Sequence, residues 1–259
     1  MTLEKKNEDQ SVSRRTAAAV MLAAAGIAIA RDASADIFGS VSELSTVRYS
    51  RLLSGQVGSV SWAEEHIKTD PHYAILRKVK VPFGWNGSMM VDVFSGKLSL
   101  GKPPLGFSYP GPKGRPVAYF VFDTQGEYSF QMIERLKPLL NDIDIQFFPV
   151  PYLNWRSAPQ AARILTASEP WRVLESHLLR FSDLKTRGLS VDRNEPYADA
   201  VKKVWQNGKL YRVVGGRDVP FGVFKSGPNR YVPFDASLTA EELRTILQKP
   251  DSPYYAPRK

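Results

Sequence analysis

The segment Val117–Ser129, with the sequence VAYFVFDTQGEYS, combines a strand, a turn and the start of a helix. Its first six residues are all apolar, which is typical of a central strand that helices cover on both faces. A second predicted strand, 143–150, has apolar residues at 143, 145, 147 and 148 and follows a predicted helix over 130–140. Two buried strands joined by a helix are expected to be parallel and connected by a right-handed crossover. The sequence therefore predicts a βαβ unit over residues 117–150.

The order of segments from 117 to 247 resembles the thioredoxin superfamily, and within it the periplasmic disulfide isomerases of the DsbC/DsbG type. Three further helical segments follow residue 150, and the first turn of each contains a proline, at Pro159, Pro170 or Pro196. They predict a helical insertion. The chain then reaches a segment that resembles the family's cis-proline loop and consists of Arg217, Asp218, Val219 and Pro220. Residues 234–243 resemble the family's last turn and helix.

The family's active site is a Cys-x-x-Cys motif, and this chain contains no cysteine. The matching positions are Gly126, Glu127, Tyr128 and Ser129. Only a thiolate attacks a disulfide sulfur and forms a mixed disulfide, so the sequence excludes thiol–disulfide exchange. The resemblance implies that this degenerate motif faces the proline loop, and that Val219 and Pro220 present their backbone to an extended polypeptide. We assign no catalytic residue.

Other chemistry has little support in the sequence. Ser129 is expected to cap the following helix, and a nucleophilic role would need a base, for which His177 is the nearest histidine in the chain. Asp123 resembles the acid that thioredoxin folds bury below their motif. His66 and His72 do not have the spacing of a metal-ligand pair. We therefore predict no cofactor and no metal.

The charge and the glycine pattern argue against two further classes of function. The net charge of +9 comes from 35 basic residues scattered among 26 acidic ones, which argues against nucleic-acid binding. The pair Gly215–Gly216 does not follow a strand and open a helix, so it predicts a tight turn rather than a phosphate-binding loop.

Residues 1–35 have the pattern of an export signal. A basic start leads into an apolar stretch over 16–30, and Ala33-Ser34-Ala35 supplies the small residues that signal peptidase needs. The pair Arg14–Arg15 leaves Sec and twin-arginine export both open. An uncleaved anchor is the alternative to cleavage after Ala35. The sequence otherwise predicts a periplasmic protein with no membrane span once the signal is removed.

Residues 36–114 are expected to form a small α+β module that ends in a linker rich in proline and glycine. Helices are predicted over 41–53 and 62–67, and strands over 73–81 and 89–94. The family resemblance implies a dimerisation module at this place. The predicted fold class is therefore α/β, with a thioredoxin-like domain over 115–259 that carries a helical insertion and follows this module.

Two classes of function remain open from the sequence. The first is a non-redox protein that binds polypeptide, as a chaperone or as a scaffold in an envelope assembly such as a conjugation or type IV secretion system. The second is an enzyme of non-thiol chemistry that reuses the fold. A binding protein needs only a surface, whereas an enzyme needs a base, a metal or a nucleophile, so the sequence favours the first.

Overall fold

The computed structural model describes residues 67–82, 84–112, 114–192, 198–227 and 230–247. The predicted signal segment 1–35, with its cleavage residues Ala33 and Ala35, and the predicted helix over 41–53 lie outside these residues. All described residues belong to one compact unit of the chain. In the described part of the chain, no helix is both long enough and apolar enough to cross a membrane.

A five-stranded mixed sheet forms the centre of the described region. Its strands, in chain order, are β1 (Phe107–Ser108), β2 (Val117–Phe122), β3 (Asp144–Pro149), β4 (Phe221–Lys225) and β5 (Tyr231–Asp235). The spatial order is β1-β3-β2-β4-β5. The β2–β3 pair is parallel, and the other three pairs are antiparallel. The parallel pairing predicted for 117–150 is thus confirmed.

The helices of the described region precede, connect or follow these strands along the chain. They are α1 (Tyr73–Leu76), α2 (Gly87–Phe94), α3 (Glu127–Leu136), α4 (Ser157–Leu165), α5 (Pro170–Leu179), α6 (Ala198–Val213) and α7 (Ala240–Ile246). A 3₁₀ turn over Lys137–Leu139 contains Pro138 and follows α3 directly. Proline lacks the N–H that would continue the α-helical ladder, which accounts for the end of α3 at Leu136.

This topology confirms the predicted fold class. The unit β2-α3-β3 is followed by the inserted helices α4, α5 and α6, and the antiparallel pair β4–β5 and helix α7 complete a thioredoxin-like fold. The core is aromatic, with Phe120, Phe147 and Phe234 fully buried in the sheet. Each such side chain contributes about 1.5–3 kcal/mol through burial alone.

The structure corrects the prediction for residues 73–94. The predicted strands over 73–81 and 89–94 are absent, and the helices α1 and α2 occupy this part of the described chain. The side chain of Asn86 accepts a hydrogen bond from the Met89 N–H at 2.9 Å and caps α2. Buried Met90 and Phe94 anchor the helix to the core. Tertiary packing and a cap therefore outweigh the local preference for strand.

The predicted boundary at residue 114 does not separate two cores among the described residues. Strand β1 pairs with β3 and extends the central sheet. Trp85 of the segment before α2 packs edge to face on Phe221 at 5.3 Å between ring centroids. Residues 67–112 therefore share one core with the thioredoxin-like part. The proline-rich segment is a connection within a unit, because both its ends lie against the same sheet.

Candidate functional site

Three loops, two of which contain predicted site residues, meet at one end of the central strands. The turn 123–129 and the loop 150–156 follow the carboxyl ends of β2 and β3, which are parallel and adjacent. The proline loop 217–220 precedes β4, whose first residue, Phe221, pairs with Val121. One further step along this register places Pro220 opposite Phe122. The topology thus brings the degenerate motif and the proline loop to neighbouring positions.

The degenerate motif forms the start of α3, but Ser129 does not cap it. Gly126 is the N-cap residue, in an extended conformation with φ −83° and ψ 119°, and no side chain caps this end. Ser129 is buried, and its Oγ accepts a hydrogen bond from the Asp123 N–H at 3.2 Å. The predicted capping role of Ser129 is therefore wrong. A Cβ on residue 126 would lie 2.7 Å from this Oγ, so glycine makes the close approach acceptable.

Asp123 is fully buried beneath the turn and holds two loops together. Its carboxylate accepts hydrogen bonds from the N–H groups of Gln125, Tyr152 and Leu153, at 2.8, 2.6 and 2.9 Å. Burial raises the pKa of Asp123, although the hydrogen bonds from Gln125 and Ser157 oppose this effect. Because these bonds connect the end of β2 to the loop after β3, the carboxylate fixes the relative position of both.

His177 is a structural residue rather than a base for Ser129. It is buried in α5, where Nε2 donates to the Thr124 carbonyl at 2.9 Å and Nδ1 accepts from the Leu189 N–H at 3.1 Å. This assignment of the ring proton follows from the two partners, because a carbonyl only accepts and an N–H only donates. Burial lowers the pKa of His177 to about 4. The ring is neutral at pH 7, and both nitrogens are occupied.

A buried amide network adjoins the turn and was not predicted from the sequence. The Gln125 Nε2 donates to Gln160 Oε1 at 2.7 Å and to the Arg187 carbonyl at 2.8 Å. Its Oε1 accepts from Asn154 Nδ2 at 3.0 Å. The glutamine pair joins the turn to α4 and to the loop after α5, and Asn154 joins it to the loop after β3. Contacts with three segments thus fix the position of the turn. No local sequence signal identifies such a pair, because the two residues are far apart in the chain.

The outer surface of the motif carries one charged and one aromatic side chain. Glu127 is exposed and forms an ion pair with Arg187 at 3.0 Å. Tyr128 is 65% exposed. Phe130 does not face the same surface, because its ring stacks on Phe181 at 4.9 Å between centroids. Tyr128 is therefore the aromatic side chain that this turn presents to solvent.

The side chain of Tyr211 anchors the proline loop, and the backbone of Val219 in this loop has no hydrogen-bond partner in the described part of the chain. The Val219–Pro220 peptide bond is cis. The hydroxyl of buried Tyr211 donates to the Asp218 carbonyl at 2.7 Å. In the described part of the chain, the N–H and the carbonyl of Val219 form no hydrogen bond. Val219 thus offers one backbone donor and one backbone acceptor at the end of the sheet where the motif begins.

Arg217 lies on the solvent side of the same loop. Its guanidinium donates to the carbonyls of Arg212 and Gly216, at 3.3 and 3.2 Å. Gly215, with φ +86°, forms a tight turn before it, as the sequence predicts. The guanidinium is therefore directed back toward the end of α6.

The loop after β3 adds apolar surface beside the turn. Leu153 is 55% exposed and Trp155 is 41% exposed, whereas Phe147 and Phe148 of β3 are buried. The Tyr152 hydroxyl donates to the Gly208 carbonyl at 2.8 Å and anchors the loop to α6. Because Asp123 binds the backbone of this loop, the exposed side chains stand next to the motif.

The described residues contain no cluster of three or more side chains suited to a metal ion. His66 lies outside these residues. His72 lies next to the ion pair between Asp70 and Arg230, in which Asp70 Oδ2 and Arg230 Nε are 2.7 Å apart. The guanidinium contributes to lowering the pKa of Asp70 against the effect of burial. This group is therefore an ion-pair cluster that joins residues 70–72 to the start of β5.

The sequence matches no protein-family model and no curated protein. Solved structures with similar folds include a periplasmic thioredoxin-like protein from Salmonella enterica serovar Typhimurium, with 16% identity, a TM-score of 0.42, and coverage of 62% of this chain and 95% of that one. The thiol-disulfide exchange protein alpha-DsbA2 from Wolbachia pipientis has 17% identity and a TM-score of 0.44, with coverage of 68% and 95%. DsbG from Helicobacter pylori has 18% identity and a TM-score of 0.41, with coverage of 54% and 62%.

Proposed function

We propose that this chain is a non-redox, thioredoxin-fold protein that binds extended polypeptide across the surface formed by residues 126–129 and 217–220. One observation carries the proposal: the backbone groups of Val219, which have no hydrogen-bond partner among the described residues, lie at the same end of the central strands as the exposed ring of Tyr128. An extended chain binds such exposed backbone donors and acceptors through main-chain hydrogen bonds, and pockets for alternate side chains give specificity.

The helix start supplies a second set of backbone donors. The first N–H groups of an α-helix have no partner within the helix, and no side chain caps α3. A carbonyl of a bound polypeptide is a suitable acceptor for them. Tyr128, Leu153 and Trp155 provide apolar contact area around these polar groups. Aromatic side chains of this kind contribute a large share of binding energy in protein interfaces.

The location proposed for this activity is the periplasm, reached through the signal in residues 1–35. A cysteine-free chain does not exchange disulfides with the oxidoreductases of an oxidising compartment. This property suits a chaperone or a scaffold that works next to such enzymes, for example within a conjugation or type IV secretion system.

The proposal is tested with reduced, carboxymethylated α-lactalbumin, a permanently unfolded polypeptide without reactive thiols. We expect the full chain to bind it, and Tyr128→Ala to weaken binding about tenfold, the effect of losing an aromatic anchor worth about 1–2 kcal/mol. Tyr73→Ala is the matched control, because Tyr73 is an exposed tyrosine on α1. Fluorescence anisotropy of the labelled polypeptide gives both affinities.

Equal affinities for Tyr128→Ala and the unmodified chain would show that the polypeptide binds elsewhere. A complete lack of binding would remove the proposed function. The unmodified chain is also expected to show no activity in insulin reduction or in refolding of scrambled disulfides, because it has no thiolate. Recovery of a converted small molecule, instead of a protein partner, from envelope extracts would favour the enzyme alternative.

A further inference from the structure

A surface cavity in the helical insertion has a chemical character unlike the polypeptide surface. Its volume is about 520 Å³, and it lies where the end of α4 meets one face of α5. Three of the side chains that line it are arginines: Arg163, Arg172 and Arg180. Arg172 and Arg180 are eight residues apart, two steps of four, which places them on one face of the helical segment. Two helical segments thus bring three arginines to the lining of one cavity.

The positive charge of this cavity exceeds the negative charge beside it. No acidic residue lines it. Arg172 forms an ion pair with Glu169 at 3.1 Å, but both side chains are exposed, and such a surface pair contributes little. Arg163 donates to the Ser190 carbonyl at 2.7 Å, which leaves its charge unneutralised. The Arg180 side chain forms no ion pair or hydrogen bond with the described residues.

A hydroxyl and an apolar wall complete the lining. Ser176 lies between Arg172 and Arg180 on α5, and its Oγ forms no hydrogen bond with the described residues, so it is free to donate. The Thr166 hydroxyl instead donates to the Ala162 carbonyl at 2.9 Å. Val173 and buried Leu189 line the cavity as apolar contacts.

We infer that this cavity binds a phosphate monoester through its anionic group. A guanidinium fork binds phosphate oxygens in a bidentate manner, and three forks suit three terminal oxygens better than the two oxygens of a carboxylate. The Ser176 hydroxyl supplies one more donor. The apolar contacts accommodate the organic part of the ester, for which a volume of about 520 Å³ leaves room beyond the phosphate itself.

The site is tested with phenyl phosphate, a soluble monoester with an apolar group. Isothermal titration calorimetry of the full chain at 150 mM salt is expected to show one binding site. Arg180→Gln and Arg172→Gln are each expected to weaken binding about tenfold, the loss typical of one charge-assisted hydrogen bond. Arg180→Lys is expected to weaken binding less, because lysine keeps the positive charge and loses only the bidentate hydrogen bonding of the guanidinium.

Arg244→Gln is the charge-matched control, because Arg244 is an exposed arginine in the last turn of α7, outside the cavity lining. It is expected to change the affinity less than twofold. No binding of phenyl phosphate, or equal weakening by Arg244→Gln and Arg180→Gln, would overturn the site. The arginines are on the surface, so circular dichroism is expected to show an unchanged fold for every variant. A failed polypeptide-binding assay would not affect these results.

Vesicles distinguish the source of the phosphate group. Phosphatidic acid carries a phosphate monoester as its headgroup, and phosphatidylcholine vesicles are the control. Binding to phosphatidic acid vesicles that Arg180→Gln weakens supports the site and assigns a lipid ligand. Binding of phenyl phosphate without binding to these vesicles supports the site and assigns a soluble one.

Discussion

The buried His177 makes the stability of this protein depend on pH. Its pKa is about 4 in the folded state against 6.5 for an exposed histidine. As the pH falls through 6.5, the unfolded chain takes up a proton that the folded chain does not bind until about pH 4. The unfolded state is therefore favoured progressively in this range. The free energy of unfolding is expected to decrease by about 3 kcal/mol between pH 7.5 and pH 4 from this group.

Urea denaturation at intervals of half a pH unit measures this dependence. The comparison is with His177→Gln, which has no titratable ring at this position. The variant is expected to be less stable at pH 7, by about 1–3 kcal/mol, because the Leu189 N–H or the Thr124 carbonyl loses an ideal partner. Its stability is expected to fall much less between pH 7.5 and pH 4.

Two acidic groups also contribute to the pH dependence of stability, with opposite signs. Asp123 has a raised pKa, so the folded state takes up its proton first, and this gain in stability partly offsets the loss. Asp70 has a lowered pKa, so the stability that its ionised carboxylate contributes is lost as the pH falls below the ordinary pKa of 3.8. Both groups are present in the unmodified chain and in the variant. Parallel curves for the two proteins would refute the role assigned to His177.

Three further predictions concern substitutions at the motif and in the core. The double substitution Gly126→Cys with Ser129→Cys is expected to form an intrachain disulfide and to gain insulin reduction, because an ideal Cβ at 126 lies 3.2 Å from that of 129, near the ~3.5–4.5 Å that a disulfide needs. Mass spectrometry showing two free thiols after oxidation would contradict it. Asn207→Ala is expected to cost about 3 kcal/mol in urea denaturation, since this fully buried amide binds three backbone groups; a loss below about 1 kcal/mol would contradict it. Gly222→Ala is expected to cost about 1–3 kcal/mol in the same assay, because its Cβ would lie 2.2 Å from the Phe234 ring, and an unchanged urea midpoint would show that the ring relaxes freely.

The central fold was predictable because its signals are local and strong. The apolar run 117–122 and the alternating apolar residues of 143–148 indicate buried strands, and the short helical connection favours a parallel pairing. The last helix has an equally local signal, since Thr239 and Glu242 form a capping box. These features do not depend on which distant segments pack against them.

The region before residue 114 was predicted less well, because its signals are weak. Residues 73–81 contain enough apolar and β-branched side chains to suggest a strand, yet Tyr73–Leu76 is one helical turn in the structure. Strand β1 has two residues and exists through its pairing with β3. A strand this short has no period of its own, so the sequence cannot reveal it.

At the candidate site, the sequence alone determined the chemistry that is absent. A chain without sulfur nucleophiles does not rearrange disulfides in any fold. Only the tertiary structure decided which polar groups are occupied: Ser129 binds the backbone before its own helix, His177 joins two loops, and the Val219 backbone is left without a partner in the described chain. The convergence of arginines from α4 and α5 was decided in the same way. The physical reason is that hydrogen bonds and charges act over a few ångströms, so their partners are set only when packing brings distant segments together.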